Sequence, residues 1–231
     1  MRKIRLKILI HKGGESYLNF LREQGCIIGK DCYIASPSTV SIDRSRPYLI
    51  QIGDNVRLNK GLTIMTHDFS SVVFKKIYGE MLPSSGKVTI GNNVYFGWHC
   101  TVLKGVTIGD NCIIGYGSTV MHDIPANSVA VGTPAKVICT IEEYYERRKV
   151  KSLEESLALA REIKNTLKRD PKPSDFKEEF VWFVNGDEFD KYPEIPIQHQ
   201  LEVGVDCFNY WKTNHKATFK DFDDFLKAAG L

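Results

Sequence analysis

The feature that most constrains this chain is an apolar residue that returns at every sixth position. From Ile90 the series runs through Phe96, Val102, Ile108, Ile114 and Val120. Neither the 3.6-residue period of a helix nor the two-residue alternation of a strand produces strict sixes. Short flat strands joined by tight turns around a three-sided prism do, because each face then takes six residues. The sequence therefore predicts a parallel β-helix.

An earlier tract keeps the same period. Its large positions are Ile28, Ile34 and Val40, followed after an excursion through DRSRPY by Ile52, Leu58 and Ile64. A second series of smaller residues stands two places before the large ones, and Cys26, Cys32, Cys100 and Cys112 belong to it. No pair of cysteines has the CxxC spacing of a metal or redox site. We therefore interpret these four cysteines as small buried hydrophobic residues.

Glycine, asparagine and aspartate recur where the prism would turn a corner. The triplets are GDN at 53–55, GNN at 91–93 and GDN at 109–111. Corners need positive φ or a side chain that bonds the local backbone, and these residue types provide both. Each coil buries its apolar face only against its neighbours, so the ends need covers. The segment DIPANSVAVGTPAKVI after Val120 is predicted to close one end.

Bulk properties exclude several classes of protein. A formal charge of +3 in 231 residues, without a long basic block, does not favour nucleic-acid binding. The basic and apolar start MRKIRLKILI stops at polar residues without a small-residue cleavage site, and no apolar stretch reaches the length of a membrane span. We expect a soluble cytoplasmic protein.

The segment IGNNVYFGWHCTVLKGVTIGDNCIIGYGSTVMHDIPANSVAVGTPAKVI resembles the hexapeptide-repeat acetyltransferases. The resemblance covers roughly residues 26–140 and is strongest to the branch of galactoside, maltose and capsular-polysaccharide O-acetyltransferases. It implies a left-handed parallel β-helix, mainly β in class, and a homotrimer that binds acetyl-CoA in grooves between subunits. The implied activity is O-acetylation of a sugar or a surface-glycan precursor.

A loop at 65–87 interrupts the repeat and presents THD. Ordering a long loop costs entropy, and long loops on rigid scaffolds usually carry function. Moving an acetyl group from a thioester to a hydroxyl requires a base that titrates near neutrality, so His67 is the candidate general base. By resemblance it occupies the place of the family's catalytic histidine, and Glu80 in YGEML stands where a carboxylate would orient the imidazole ring. Asp68 is the competing orienting residue.

The resemblance also assigns cofactor and acceptor contacts. Tyr95 would form a wall of the acyl channel, and the other candidate acetyl-CoA contacts are Trp98, Tyr116, Met121, His122 and Lys136. Candidate acceptor contacts are Asp43, Arg44 and Asp68. The histidines His67, His99 and His122 lack the spacing of the zinc site in hexapeptide carbonic anhydrases, so we predict no metal.

Beyond residue 140 the period of six disappears. Apolar residues spaced among charges predict helices, and TFKDFDDFLKAAG predicts a last helix with Thr218 as its N-cap. We therefore divide the chain into an N-terminal cap with a short helix at 1–25, an acetyltransferase domain at 26–140 and a helical C-terminal extension at 141–231. Two alternative functions stay open: N-acetylation of an amino sugar nucleotide, and a non-catalytic β-helix that binds a partner.

Overall fold

A computed structural model describes residues 13–201 and 206–231 of the chain. These residues form two compact units, of which the first ends at Tyr144 and the second covers Tyr145–Leu231. The first part of the predicted N-terminal cap, residues 1–12, and residues 202–205 of the predicted extension lie outside the described residues.

Three sheets, parallel except at one edge, form the faces of the first unit. The first sheet contains β1 (Ile27–Ile28), β4 (Ile50–Ile52), β9 (Val88–Ile90) and β12 (Thr107–Ile108). The second contains β2 (Tyr33–Ile34), β5 (Arg57–Leu58), β10 (Val94–Phe96), β13 (Cys112–Ile114), β15 (Ser128–Val131) and, antiparallel at its edge, β16 (Lys136–Thr140). The third contains β3 (Ser41–Ile42), β6 (Thr63–Ile64), β11 (Thr101–Val102) and β14 (Thr119–Val120). Each coil of the chain therefore adds one strand to each sheet in turn: β1–β3 form the first coil, β4–β6 the second, β9–β11 the third and β12–β14 the fourth.

The positions with the period of six fill the interior of these coils. The predicted large residues are all buried, and those of the two central coils, such as Phe96 and Leu58, are almost wholly inaccessible to solvent. The four cysteines of the small series are buried as well. Because burial of apolar surface is worth about 25 cal/mol per Å², this continuous column stabilises the first unit. The predicted parallel architecture and its inward-facing residues are confirmed.

One corner of the coils is held by a column of asparagines. Asn55, Asn93, Asn111 and Asn127 all have φ between 54° and 58°, the left-handed conformation that few side chains tolerate. Each amide donates to the next along the column, with N···O distances of 3.0 Å from Asn55 to Asn93 and from Asn93 to Asn111. The conformation and the hydrogen bonds together explain why the triplets at the corners end in asparagine.

The two ends of the coil stack carry different covers. Helix α1 (Gly14–Glu23) packs Leu18 and Leu21 into the same core cluster as the first coil. At the other end, β15 and β16 form an antiparallel pair, so the parallel stacking ends there. Within the described residues, no helix combines the length and the apolar character that crossing a membrane requires.

The interruption of the repeat is a short hairpin with a helix at its tip. The antiparallel strands β7 (His67–Asp68) and β8 (Ser84–Ser85) form its neck, and helix α2 (Ser71–Tyr78) lies between them. Gly79, with φ of 72°, ends the helix in the left-handed conformation. At the neck, the amide of Gly86 donates to the carbonyl of Thr66 at 2.9 Å. The loop is therefore anchored where it leaves and rejoins the coils.

The second unit is helical around an aromatic core. Its helices are α3 (Ile141–Leu167), which begins at the end of the first unit, α4 (Ile197–Leu201), α5 (Cys207–Asn214) and α6 (Phe222–Ala228). The rings of Phe176, Phe183, Phe222 and Phe225 pack against one another with centroids 5.0 to 6.2 Å apart. The prediction that Thr218 caps the last helix is wrong: Asp221 is the N-cap and accepts from the amide of Asp224 at 2.9 Å.

The asparagine column leads to a test of the corner. Asn93→Ala should lower the free energy of unfolding by about 2 kcal/mol, because it removes two amide hydrogen bonds and puts alanine, which tolerates the left-handed region less well than asparagine, at this position. Asn93→Gly loses the same bonds but tolerates the conformation, so we expect about half that loss. Urea denaturation followed by circular dichroism measures both. Equal losses for the two variants would contradict a conformational role for asparagine.

Candidate active site

His67 lies where the second coil leaves the third sheet. It follows β6 by three residues and forms the first position of β7. Its side chain is 19% exposed, and the ring of Phe69 meets it edge-on with centroids 5.4 Å apart. The imidazole is thus held against the coils while keeping access to solvent.

The partner of His67 comes from the first coil. Ser41 and Ile42 of β3 pair with Thr63 and Ile64 of β6, so the residue after β3 lies beside the residue after β6. That residue is Asp43, whose amide donates to the carbonyl of Ile64 at 3.0 Å. Its carboxylate Oδ2 lies 2.5 Å from His67 Nδ1. Parallel stacking of two coils therefore joins a carboxylate to an imidazole.

The Asp43 carboxylate is surrounded by donors. Oδ2 accepts from the hydroxyl of Thr66 at 2.5 Å and from its amide at 3.2 Å, and Oδ1 accepts from the hydroxyl and the amide of Ser45 at 2.7 and 3.0 Å. Partial burial by itself would raise the pKa of Asp43, but the hydrogen bonds from Thr66, Ser45 and His67 outweigh burial and hold that pKa well below its usual range. Asp43 is therefore ionised at neutral pH.

The ionised partner fixes the tautomer of the imidazole. A carboxylate only accepts hydrogen bonds, so a contact of 2.5 Å with His67 Nδ1 places the ring proton on Nδ1. In the neutral ring Nε2 is then the nitrogen with a free lone pair. The pair of Asp43 and His67 has the arrangement of an oriented general base.

A cleft of about 260 Å³ opens beside His67. Its walls combine apolar side chains with a charged pair, and they are formed by Met65, His67, Asp68, Leu103, Lys104 and Met121. The three apolar residues occupy equivalent positions in successive coils. Each directly follows a strand of the third sheet: Met65 follows β6, Leu103 follows β11 and Met121 follows β14. The arrangement gives a base at one side of a small, partly apolar space.

Asp68 fastens the loop and does not touch the imidazole ring. It pairs with Lys104, and its oxygens also accept from the hydroxyls of Ser70 and Ser84 at 2.5 and 2.9 Å. Lys104 first, and these serines next, hold the pKa of Asp68 well below its usual range. Asp68 lies in the cleft, as an acceptor-binding residue would, but its described hydrogen bonds all go to the protein.

The structure does not bring Glu80 to His67. Glu80 is exposed beyond Gly79 at the far end of the loop, and among the described residues it makes no hydrogen bond or ion pair. Asp43, which the sequence interpretation placed with the acceptor contacts, holds the position beside Nδ1 instead. The register of the repeat is the sequence signal that indicates this contact. Asp43 directly follows β3, and Met65 directly follows β6, the equivalent strand one coil later.

Four of the residues predicted to contact the cofactor fall into two groups. Tyr95, Trp98 and Tyr116 are exposed on the outside of the coils, where Lys60 Nζ lies 5.4 Å from the ring centroid of Trp98 and the rings of His99 and Tyr116 meet edge-on. Met121 lines the cleft with His67.

Three further predicted residues stand apart from the pair of Asp43 and His67. His122 follows Met121 and is exposed, Lys136 is exposed at the start of β16, and Arg44 is exposed next to Asp43. Among the described residues, no group of three or more histidine, cysteine, aspartate or glutamate side chains is placed to hold a metal ion.

Comparison with known proteins points to one family. The model for "Bacterial transferase hexapeptide (six repeats)" matches residues 87–122. The chain is 43% identical over 148 residues to the protein CapG of Staphylococcus aureus, covering 62% of this chain and 81% of CapG. It is 41% identical over 132 residues to the galactoside O-acetyltransferase of Escherichia coli K12, covering 54% of this chain and 61% of that enzyme. A solved galactoside acetyltransferase in complex with coenzyme A is 28% identical, covering 62% of this chain and 82% of that chain, with a TM-score of 0.42.

The three-sided parallel coil and the match to the hexapeptide transferase model together indicate the class. Because the match to CapG spans four fifths of that protein, the chain belongs to the hexapeptide-repeat acetyltransferase family. Membership places it among the acyltransferases.

The depressed pKa of Asp43 predicts a pH dependence of stability. A carboxyl whose pKa is lower in the folded state contributes stability above its unfolded value, near 4, and this contribution disappears as the pH falls towards the folded value. Below about pH 5, wild-type protein should therefore lose free energy of unfolding more steeply than Asp43→Asn. Urea titrations from pH 7 to pH 2 measure the difference. Parallel curves for the two proteins would show that the bonds to Asp43 add no stability.

Proposed function

We propose that this protein is an acetyl-CoA-dependent O-acetyltransferase that acts on a sugar or a surface-glycan precursor. The observation that carries the proposal is the contact between His67 Nδ1 and the ionised Asp43 at the edge of a cleft. This pair supplies the base that transfer to a hydroxyl requires.

The proposed reaction proceeds in a ternary complex. His67 Nε2 takes the proton of the acceptor hydroxyl. At the same time, the oxygen of that hydroxyl attacks the carbonyl carbon of the thioester. Backbone N–H groups stabilise the tetrahedral oxyanion. The carbon–sulfur bond then breaks, and the proton on Nε2 passes to the departing sulfur, which leaves as the thiol of CoA. Asp43 stays ionised throughout and stabilises the imidazolium that forms between the two transfers.

We assign the acetyl-CoA site to the exposed surface that begins at the cleft. Met121 would contact the acyl end, and Tyr95, Trp98 and Tyr116 present aromatic side chains along the outside of the coils. His122 and Lys136 would complete the contacts, Lys136 towards the phosphates. The solved relative that contains coenzyme A supports this choice of cofactor.

The proposal includes the family's assembly. A cleft of about 260 Å³ is smaller than the usual 300 to 1,000 Å³ of a pocket for a small molecule, so a partner surface is needed to enclose the thioester. We propose a cytoplasmic homotrimer of left-handed coils in which a neighbouring copy supplies that surface. The acceptor would enter near Arg44 and Asp68.

Substitutions of His67 and Asp43 test the mechanism. His67→Ala should lower kcat by about 10² to 10⁴, the usual contribution of a general base, while acetyl-CoA still binds. Asp43→Asn should lower kcat by a similar factor, because the amide also offers Nδ1 a donor and favours the wrong tautomer. Release of CoA thiol from acetyl-CoA measures the rate, and calorimetric titration measures binding.

Glu80→Gln is the matched control for Asp43→Asn. It removes one carboxylate charge as well, but from the inserted loop. It should retain at least half of the wild-type kcat. Loss of activity in Glu80→Gln together with normal turnover in Asp43→Asn would reverse the assignment of the orienting residue. Normal turnover in His67→Ala would remove the mechanism altogether.

A panel of acceptors tests the substrate class. Sugars, nucleotide sugars and oligosaccharides with hydroxyl groups alone should support thiol release, and mass spectrometry should find one acetyl ester per turnover. If only acceptors with a free amine react and the product is an amide, the protein is an N-acetyltransferase of amino sugars. Failure to bind CoA at millimolar concentration would favour a non-catalytic binding protein.

A further inference from the structure

Thr66 carries a buried hydroxyl that the proposed mechanism does not use. It is 0% exposed and stands between Met65, where the second coil ends, and His67. A hydroxyl in such a position costs free energy unless it makes a hydrogen bond. Its bond is with Asp43 Oδ2 at 2.5 Å.

The same oxygen of Asp43 serves both Thr66 and His67. Oδ2 lies 2.5 Å from Thr66 Oγ1 and 2.5 Å from His67 Nδ1, while Oδ1 is occupied by Ser45. A donor that shares Oδ2 fixes the position of that oxygen. Thr66 thereby holds the acceptor of the ring proton beside Nδ1.

The backbone of Thr66 makes the arrangement rigid. Its amide donates to Asp43 Oδ2 at 3.2 Å, and its carbonyl accepts from Gly86 at the neck of the loop at 2.9 Å. The hydroxyl is therefore delivered from a residue that is bonded to the first coil and to the returning end of the loop. Ser45, by contrast, is exposed, so its hydroxyl has less support.

We propose that Thr66 is a positioning residue that acts through Asp43 to keep His67 in the tautomer with its proton on Nδ1. The proposal rests on the function proposed above for His67. Without the hydroxyl, Oδ2 is no longer fixed beside Nδ1, so part of the protein adopts the other tautomer, in which Nε2 carries the proton and has no free lone pair. Among the described residues, Ser45 also bonds Asp43, and the Asp43 charge acts on the thiol of Cys26; neither residue is altered by a change at Thr66.

Thr66→Val tests the hydroxyl at almost constant shape, and Thr66→Ser is the matched control that keeps it. For Thr66→Val we expect kcat to fall by about 10-fold or more, since a hydrogen bond to a charged group is lost. KM for acetyl-CoA should change less than about twofold. Thr66→Ser should keep a wild-type KM and most of the rate. Thermal melting of each variant shows that it is folded.

Two results would overturn the proposal. One is a Thr66→Val enzyme with wild-type kcat. The other is a Thr66→Ser enzyme as impaired as Thr66→Val, because this would make the methyl group, and hence packing, the important part of the side chain.

A spectroscopic measurement separates this proposal from the proposed function. Long-range ¹H–¹⁵N spectra of the full chain report the tautomer of each histidine, and the signals of His67 are those missing in His67→Ala. Wild-type protein should show the proton on Nδ1, and Thr66→Val should show a mixture of the two tautomers at the same pH. If wild-type protein releases no thiol with any acceptor but Thr66→Val shows this change, the proposed function fails and the role of Thr66 stands. If the tautomer is the same in both proteins, the role of Thr66 fails whatever the activity.

Discussion

The structure depends on the parallel stacking of coils in register. Each strand lies against the equivalent strand one coil later, so residues that are 22 apart in sequence, such as Ser41 and Thr63, become neighbours. The buried column of apolar residues enforces this register, because a shift by one residue would turn the whole series outwards. The position of Asp43 beside the start of the inserted loop is a direct result. The chemistry of the site is thus set by the same constraint that forms the core.

Stacking also explains why the site needs few residues. Asp43 and Met65 each follow a strand of the third sheet, and Leu103 and Met121 follow the next two strands of that sheet. Three of these residues line the cleft, and the fourth binds the imidazole. The loop adds His67 and the pair of Asp68 and Lys104 fastens it. One edge of a repetitive scaffold therefore supplies most of a specialised surface.

Much of this fold follows from the sequence because few structures place an apolar residue at every sixth position. The inward residues, the corner asparagines and the interrupting loop with His67 all follow from spacing alone. The orienting carboxylate does not. Glu80 lies in the same loop as His67, whereas Asp43 lies one coil earlier. The excursion DRSRPY, which begins at Asp43, breaks the period of six and hides which residues of the two coils are neighbours. The helical extension has no repeat, so the competition between Thr218 and Asp221 for the last cap is decided by local hydrogen bonding, which composition does not reveal.

The pair of Asp43 and His67 joins the first coil to the second, so activity depends on the contact between these two coils. A stack of repeats is held by contacts between neighbours, and its terminal member opens more easily than its centre. Asp43 belongs to that terminal coil, whereas His67 is anchored to the next. Fraying of the first coil would separate the two side chains while the other three coils keep their contacts. Heat would then inactivate the protein before the stack as a whole unfolds.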